Sequence, residues 1–77
     1  MRIRVECYSG YKADERPVRF FLGNRALEVK DVLDQWLCPG NSYFRVKGED
    51  GYIYILRHHW GEDLTLWTLE AFRREAS

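Results

Sequence analysis

Arg25-Ala26-Leu27-Glu28-Val29-Lys30-Asp31-Val32-Leu33-Asp34-Gln35-Trp36-Leu37 is the stretch on which the fold turns. Val29, Val32, Leu33, Trp36 and Leu37 fall at i, i+3, i+4, i+7 and i+8, the spacing of an amphipathic helix, and Cys38-Pro39-Gly40 follows as a helix stop. The residues just before it argue otherwise. Val18-Arg19-Phe20-Phe21-Leu22 alternates and ends at Gly23-Asn24, a tight hairpin signal in which Gly supplies the positive φ. That turn makes residues 25–29 the natural partner of 18–22. A strand begun at Arg25 can run to Trp36 if a bulge near Asp31 absorbs the break in alternation. Strand is the favoured reading; the alternative is α+β, with one helix at about 29–37.

Outward from this stretch, the other segments read as strands. Ile3, Val5 and Cys7 alternate with Arg2, Arg4, Glu6 and Tyr8, a period of two. Residues 9–15 are polar and read as a loop, and Pro17 opens the second strand, where proline is allowed. Residues 43–47 run to Gly48-Glu49-Asp50-Gly51 and 52–58 return from it, a second hairpin marked by Asp-Gly. Residues 64–69 have β-type composition. Beyond them Glu70 and Arg74 form an i,i+4 pair, so about 70–77 is expected to be a helical or frayed tail.

Sorting these strands by parity gives two unlike faces. One collects Ile3, Val5, Cys7, Val18, Phe20, Leu22, Leu27, Val29, Phe44, Val46, Ile53 and Ile55, all apolar, and is the expected core. The other carries Arg2, Arg4, Arg19, Lys30, Arg45 and Lys47 against Glu6 and Glu28, with Tyr8, Tyr43, Tyr52, Tyr54, Phe21 and Leu56 between them. Most remaining acids fall in turns. Arg4, Tyr8, Arg19, Tyr43, Arg45 and Tyr54 are therefore the candidate binding face. The bland reading of such a face is cross-strand Arg–Tyr stacking that stabilises a wet sheet. The functional readings are a protein or peptide partner and, as the alternative, single-stranded nucleic acid held by stacking rings and phosphate-binding cations.

Composition narrows the classes. Seventy-seven residues, 45% of them apolar and 16% aromatic, suit one folded domain spanning 1–77. A chain this short buries only about 60–65% of its unfolded surface, so its stability margin is expected to be on the order of 5 kcal/mol. Twelve basic residues balance twelve acidic ones, which removes the simple charge argument for nucleic acid or an anionic membrane. No apolar stretch approaches the roughly 18 residues of a span. The opening Met1-Arg2-Ile3-Arg4-Val5-Glu6 has no apolar core of a signal peptide, so a cytoplasmic location is expected.

No motif carries chemistry on its own. Cys7 and Cys38, thirty-one positions apart, match no zinc or redox spacing. His58 and His59 are adjacent on a strand and point to opposite faces, so they do not readily share an ion. Cys7 sits at a core-parity position where a thiol is usually inert; Cys38, before Pro39 in a loop, is the more reactive candidate, but a catalytic site also needs an orienting group and an oxyanion donor pair, and a 77-residue barrel offers little cleft for them. Gly48-Glu49-Asp50-Gly51 lacks the basic residue and helix of a phosphate loop. The expectation is a non-enzyme with no metal and no cofactor. Trp36 and Trp67 are expected to close the two ends of the core. Trp60, in a predicted loop, is a candidate hot spot for a partner.

Val18-Arg19-Phe20-Phe21-Leu22-Gly23, Val32-Leu33-Asp34-Gln35-Trp36, Tyr43-Phe44-Arg45-Val46, Tyr54-Ile55-Leu56-Arg57-His58 and Trp67-Thr68-Leu69 together resemble a family of short uncharacterised bacterial "cytoplasmic" proteins. The resemblance runs from Val18 to Phe72 and implies the bulged-strand reading of 32–36. It supplies no catalytic residues, and His59-Trp60 departs from the acidic turn expected after Arg57-His58. The expected fold is all-β: a small antiparallel meander of five or six strands curled into an SH3-like barrel or roll. The expected function is a small cytosolic interaction module for a protein or peptide partner, with a homodimer as one way to cover an exposed edge.

Overall fold

A computed structural model describes residues 1–9, 15–59 and 66–74, without the side chains of Tyr8, Ser9 and Glu15. Six strands, β1 (Arg2–Ser9), β2 (Glu15–Leu22), β3 (Arg25–Cys38), β4 (Asn41–Gly48), β5 (Tyr52–His59) and β6 (Trp67–Arg74), follow one another around a closed barrel. Every neighbouring pair is antiparallel, so the topology is a pure meander. The fold is all-β, as the favoured sequence reading has it. No helix among the described residues is long and apolar enough to cross a membrane.

The predicted hairpins are present. Gly23 adopts φ 59° between β2 and β3, and Gly51 adopts φ 85° between β4 and β5, backbone that a Cβ would oppose. The Gly51 N–H donates to the Gly48 carbonyl at 3.0 Å, closing the second turn.

The α+β alternative is overturned at β3. Residues 25–28 pair with β2, and residues from Val29 onward pair with β4, so one strand belongs to two walls. The β4 register skips Lys30 and then Leu33. Each skip is a bulge that adds one residue and tightens the twist. Val29 and Val32 pack against the core, whereas Leu33 sits at the second bulge and Trp36 faces outward opposite Tyr43. The five apolar residues share helical spacing without sharing a face of the strand.

Other bulges correct the predicted faces. Cys7 pairs with Pro17 where continuous register would place Val18, so Pro17 turns inward and Val18 is exposed rather than core. The register between β5 and β6 passes over Glu70. Residues 70–74 are strand, paired along β5 as far as Tyr52, not the expected helical or frayed tail; 75–77 lie outside the described residues. Cross-strand pairing outweighs the weak helix propensity of so short a segment.

β5 is inverted relative to the sequence expectation. Tyr54 and Leu56 are buried in the core, whereas Ile55 stands on the opposite side; Ile53 shares the parity of Ile55, opposite Lys47, yet is buried as expected, 6% exposed. Tyr-Ile-Tyr-Ile-Leu is apolar at both parities, so hydrophobicity alone does not choose a face. Register chooses it: Val46 opposes Tyr54 and Phe44 opposes Leu56. The core is Ile3, Phe20, Leu27, Phe44, Val46, Tyr54, Leu56 and Trp67, with Val5, Cys7, Leu22, Val29, Val32, Tyr52 and Leu69 packed against it. Trp67 lies inside as expected, with His58 stacked on it at 4.4 Å between centroids. Trp36 does not close the core; it is on the outside.

Candidate interaction surface

The bulges of β3 decide what reaches the outer surface. After Leu33, Trp36 is aligned with Tyr43, Tyr43 with Arg57, and Arg57 with Thr68, one row across four strands. Along this row Trp36 and Tyr43 stack at 5.2 Å with planes 3° apart, and the Arg57 guanidinium lies 5.7 Å from the Tyr43 ring centre. Arg57 Nε donates to Asn41 Oδ1 at 2.9 Å, and its Nη1 lies 3.6 Å from Glu70 Oε1. Thr68 Oγ1 in turn donates to Glu70 Oε2 at 2.7 Å. Trp36 is therefore a large ring held in place from below while 40% of its residue surface stays in solvent.

Further apolar surface lies along the same strand. Leu37 is 64% exposed and Leu33 40% exposed, and Val18 of β2 is exposed as well. Beyond Glu28, β3 pairs with β4 alone among the described strands, so its β2 side is an unpaired edge there. Arg16, Asp31, Val32, Leu33, Asp34 and Gln35 line the opening between β2 and this part of β3.

The candidate face predicted from sequence is dispersed by the barrel. Arg19 Nε and Nη2 donate to Glu28 Oε1 at 3.0 and 2.7 Å, and its Nη1 donates to Glu6 Oε1 at 3.2 Å. The bond to Glu28, and then the charges of Glu28 and Glu6, raise the Arg19 pKa further above its ordinary value. Arg4 lies over the Phe21 ring, 4.1 Å from its centre. Arg45 Nη2 is 2.8 Å from Asp34 Oδ2, while its Nε is buried without a hydrogen-bond partner. Tyr43 is on the outer row as expected. Tyr54 is not on this face: it is 4% exposed, touches Phe20 edge-on at 4.8 Å, and donates its hydroxyl to Asp50 Oδ2 at 2.7 Å. Burial, followed by that bond, pushes its phenol pKa well above the usual tyrosine range. The Tyr8 side chain and the whole of Trp60 lie outside the described residues.

The electrostatic expectation changes accordingly. Asp34 and Glu70 are on the outer surface beside Arg45 and Arg57, and Asp31 is the register partner of Lys47. The sheet exterior carries cation–carboxylate pairs and cation–ring contacts rather than an unopposed basic field. Exposed pairs of this kind contribute about 0–1 kcal/mol each.

Sequence reasoning missed Trp36, Leu33, Leu37 and Arg57 as surface residues. The break in alternation near Asp31 was the available signal, since a second bulge after it turns Trp36 outward. No group of three or more His, Cys, Asp or Glu among the described residues could hold a metal ion. Compared with known proteins, the chain matches no family model, no curated protein and no solved structure.

Proposed function

We propose that this chain is a small, non-catalytic, cytosolic interaction module that docks a protein or peptide segment on the outer strip of β3. The observation that carries the reading is Trp36, stacked on Tyr43 yet substantially exposed, with Leu33 and Leu37 exposed on the same strand. A ring already fixed in place loses little entropy when a partner covers it, and interfaces draw most of their affinity from such aromatic anchors. The two bulges disrupt a flat backbone template along the unpaired edge. Docking therefore relies on side chains more than on strand addition.

The pairing of Arg19, Arg45 and Arg57 with carboxylates counts against the single-stranded nucleic-acid reading, because a phosphate would have to displace an acid at each. The test is selection of displayed random peptides on the wild-type protein, followed by titration of enriched peptides against Trp36→Ala and Leu37→Ser. Loss of affinity by about tenfold or more in Trp36→Ala is expected. Peptides that bind both variants unchanged would remove the proposal. A parallel titration with single-stranded DNA and RNA at low salt tests the rival, and sizing in solution reports whether the occupant is a second copy of the chain.

A further inference from the structure

The far end of β3 from Trp36 holds a different arrangement. Leu22, Arg25, Asp50, Tyr52, Tyr54 and Phe72 line a pocket of about 310 Å³ there. Its aromatic wall is a near-equilateral triangle: Tyr52 and Tyr54 are 6.3 Å apart between ring centres, Tyr52 and Phe72 6.5 Å, and Tyr54 and Phe72 6.1 Å. Interplanar angles of 31°, 38° and 26° make this a shallow cup rather than a box, with Tyr54, 4% exposed, as its floor. Phe72 is 61% exposed.

A carboxylate borders the cup. Asp50 is 12% exposed; its Oδ2 accepts from Tyr54 Oη at 2.7 Å and its Oδ1 from the Tyr52 N–H at 3.1 Å. Gly48 leaves the room this requires, since a Cβ there would come within 2.8 Å of Asp50 Oδ1 and 3.0 Å of Tyr54 Cε2. The largely exposed Arg25 side chain reaches Asp50 Oδ2 at 3.9 Å, the length of a loose ion pair.

We propose that this cup is a binding site for a methylated organic ammonium, of the trimethylammonium kind. A cation seated over the centre of the triangle lies within about 6 Å of all three ring centres, the range in which a ring face attracts positive charge. The partly buried Asp50 carboxylate adds to that attraction. Each of its oxygens already accepts one hydrogen bond, from Tyr54 Oη and from the Tyr52 N–H, and the ring faces accept only weakly. A bare ammonium would give up water here with little to replace it, whereas a trimethylated nitrogen has no N–H to satisfy. Arg25 is the chain's own cation at the rim; loose and exposed, it yields to a better-fitting one. This site is separate from the β3 strip, and either reading stands without the other.

The experiment follows the aromatic NMR resonances of the intact chain, at constant ionic strength, during titration with tetramethylammonium, with choline and with the uncharged tert-butyl isostere of choline. Saturable shifts centred on Tyr52, Tyr54 and Phe72 are expected with both cations, and binding about tenfold weaker for the isostere. Phe72→Ala removes an exposed ring and is expected to weaken choline by about tenfold, while Arg25→Ala removes the competing cation and is expected to tighten it. Equal affinity for the isostere, unsaturable shifts, or unchanged binding in Phe72→Ala with a wild-type amide spectrum would overturn the proposal. Weaker choline binding in Arg25→Ala would also overturn it.

Discussion

Trp36 lies flat against Tyr43, with 5.2 Å between ring centres and planes 3° apart, although the two residues sit on different strands and on the outside of the barrel. Their alignment depends on the two bulges that bring Trp36 opposite Tyr43. Aromatic pairs contribute about 0.5–1.5 kcal/mol beyond the area they bury. Tyr43→Ala is therefore expected to lower stability by about 1 kcal/mol in denaturant unfolding and to leave the Trp36 indole more mobile in NMR relaxation. An unchanged Trp36 relaxation profile would show that Tyr43 does not hold the ring.

The inverted parity of β5 makes a paired test. Leu56 is fully buried against the core, whereas Ile55 is half-buried between Arg45 and Ala71 on the other side. Leu56→Lys is expected to unfold the chain, because the buried ammonium has no partner. Ile55→Lys is expected to leave it folded and cooperative by circular dichroism. The opposite ranking would restore the parity read from sequence.

Tyr54 sets a limit on alkaline stability. Its folded pKa is raised by burial and by its bond to Asp50, whereas in the unfolded chain it titrates near the ordinary 10.0. Below about pH 10 both states keep the proton and the stabilisation is complete. Above about pH 10 the unfolded state releases its proton first, so stability falls by roughly 1.4 kcal/mol per pH unit from this one group until the folded pKa is reached. Tyr54→Phe is expected to flatten that part of the profile in unfolding measured between pH 9 and about 11, at a cost of about 1 kcal/mol at neutral pH for the lost hydrogen bond.

Gly48 is crowded rather than strained. Its prospective Cβ meets Asp50 Oδ1 and Tyr54 Cε2 at 2.8 and 3.0 Å. Gly48→Ala is expected to cost about 1–3 kcal/mol, the usual penalty of overpacking, and to displace the Asp50 turn. Thermal unfolding measures the first effect, and loss of the Tyr54 hydroxyl proton resonance reports the second.

What the sequence makes legible is local. Gly23-Asn24 and Asp50-Gly51 name their turns because the backbone there needs positive φ or a short polar side chain. Ile3 and Val46 are legible as core because each lies between two cations, and Phe20, Leu27 and Phe44 because each holds the same two-residue rhythm beside at least one charged neighbour. Tyr54 was misplaced because its strand is apolar on both sides, and only pairing with β4 chooses between them. Val18 was misplaced because one inserted residue beside Pro17 exchanges their roles. Asp34 and Glu70 were not read as partners of the surface arginines because their positions depend on bulges that hydrophobic pattern locates only approximately.

The β1–β6 junction carries a consequence for how the molecule breathes. Arg2 with Thr68 and Ile3 with Trp67 are its two register pairs, against four between β2 and β3 and six or more between every other two neighbours. A cylinder fastened by so short a clasp opens there first, like a cuff coming undone, while the β4–β5 wall keeps its ladder. Native-state hydrogen exchange should rank the Ile3 and Leu69 amides among the quickest of the strand amides and those between Phe44 and Leu56 among the slowest.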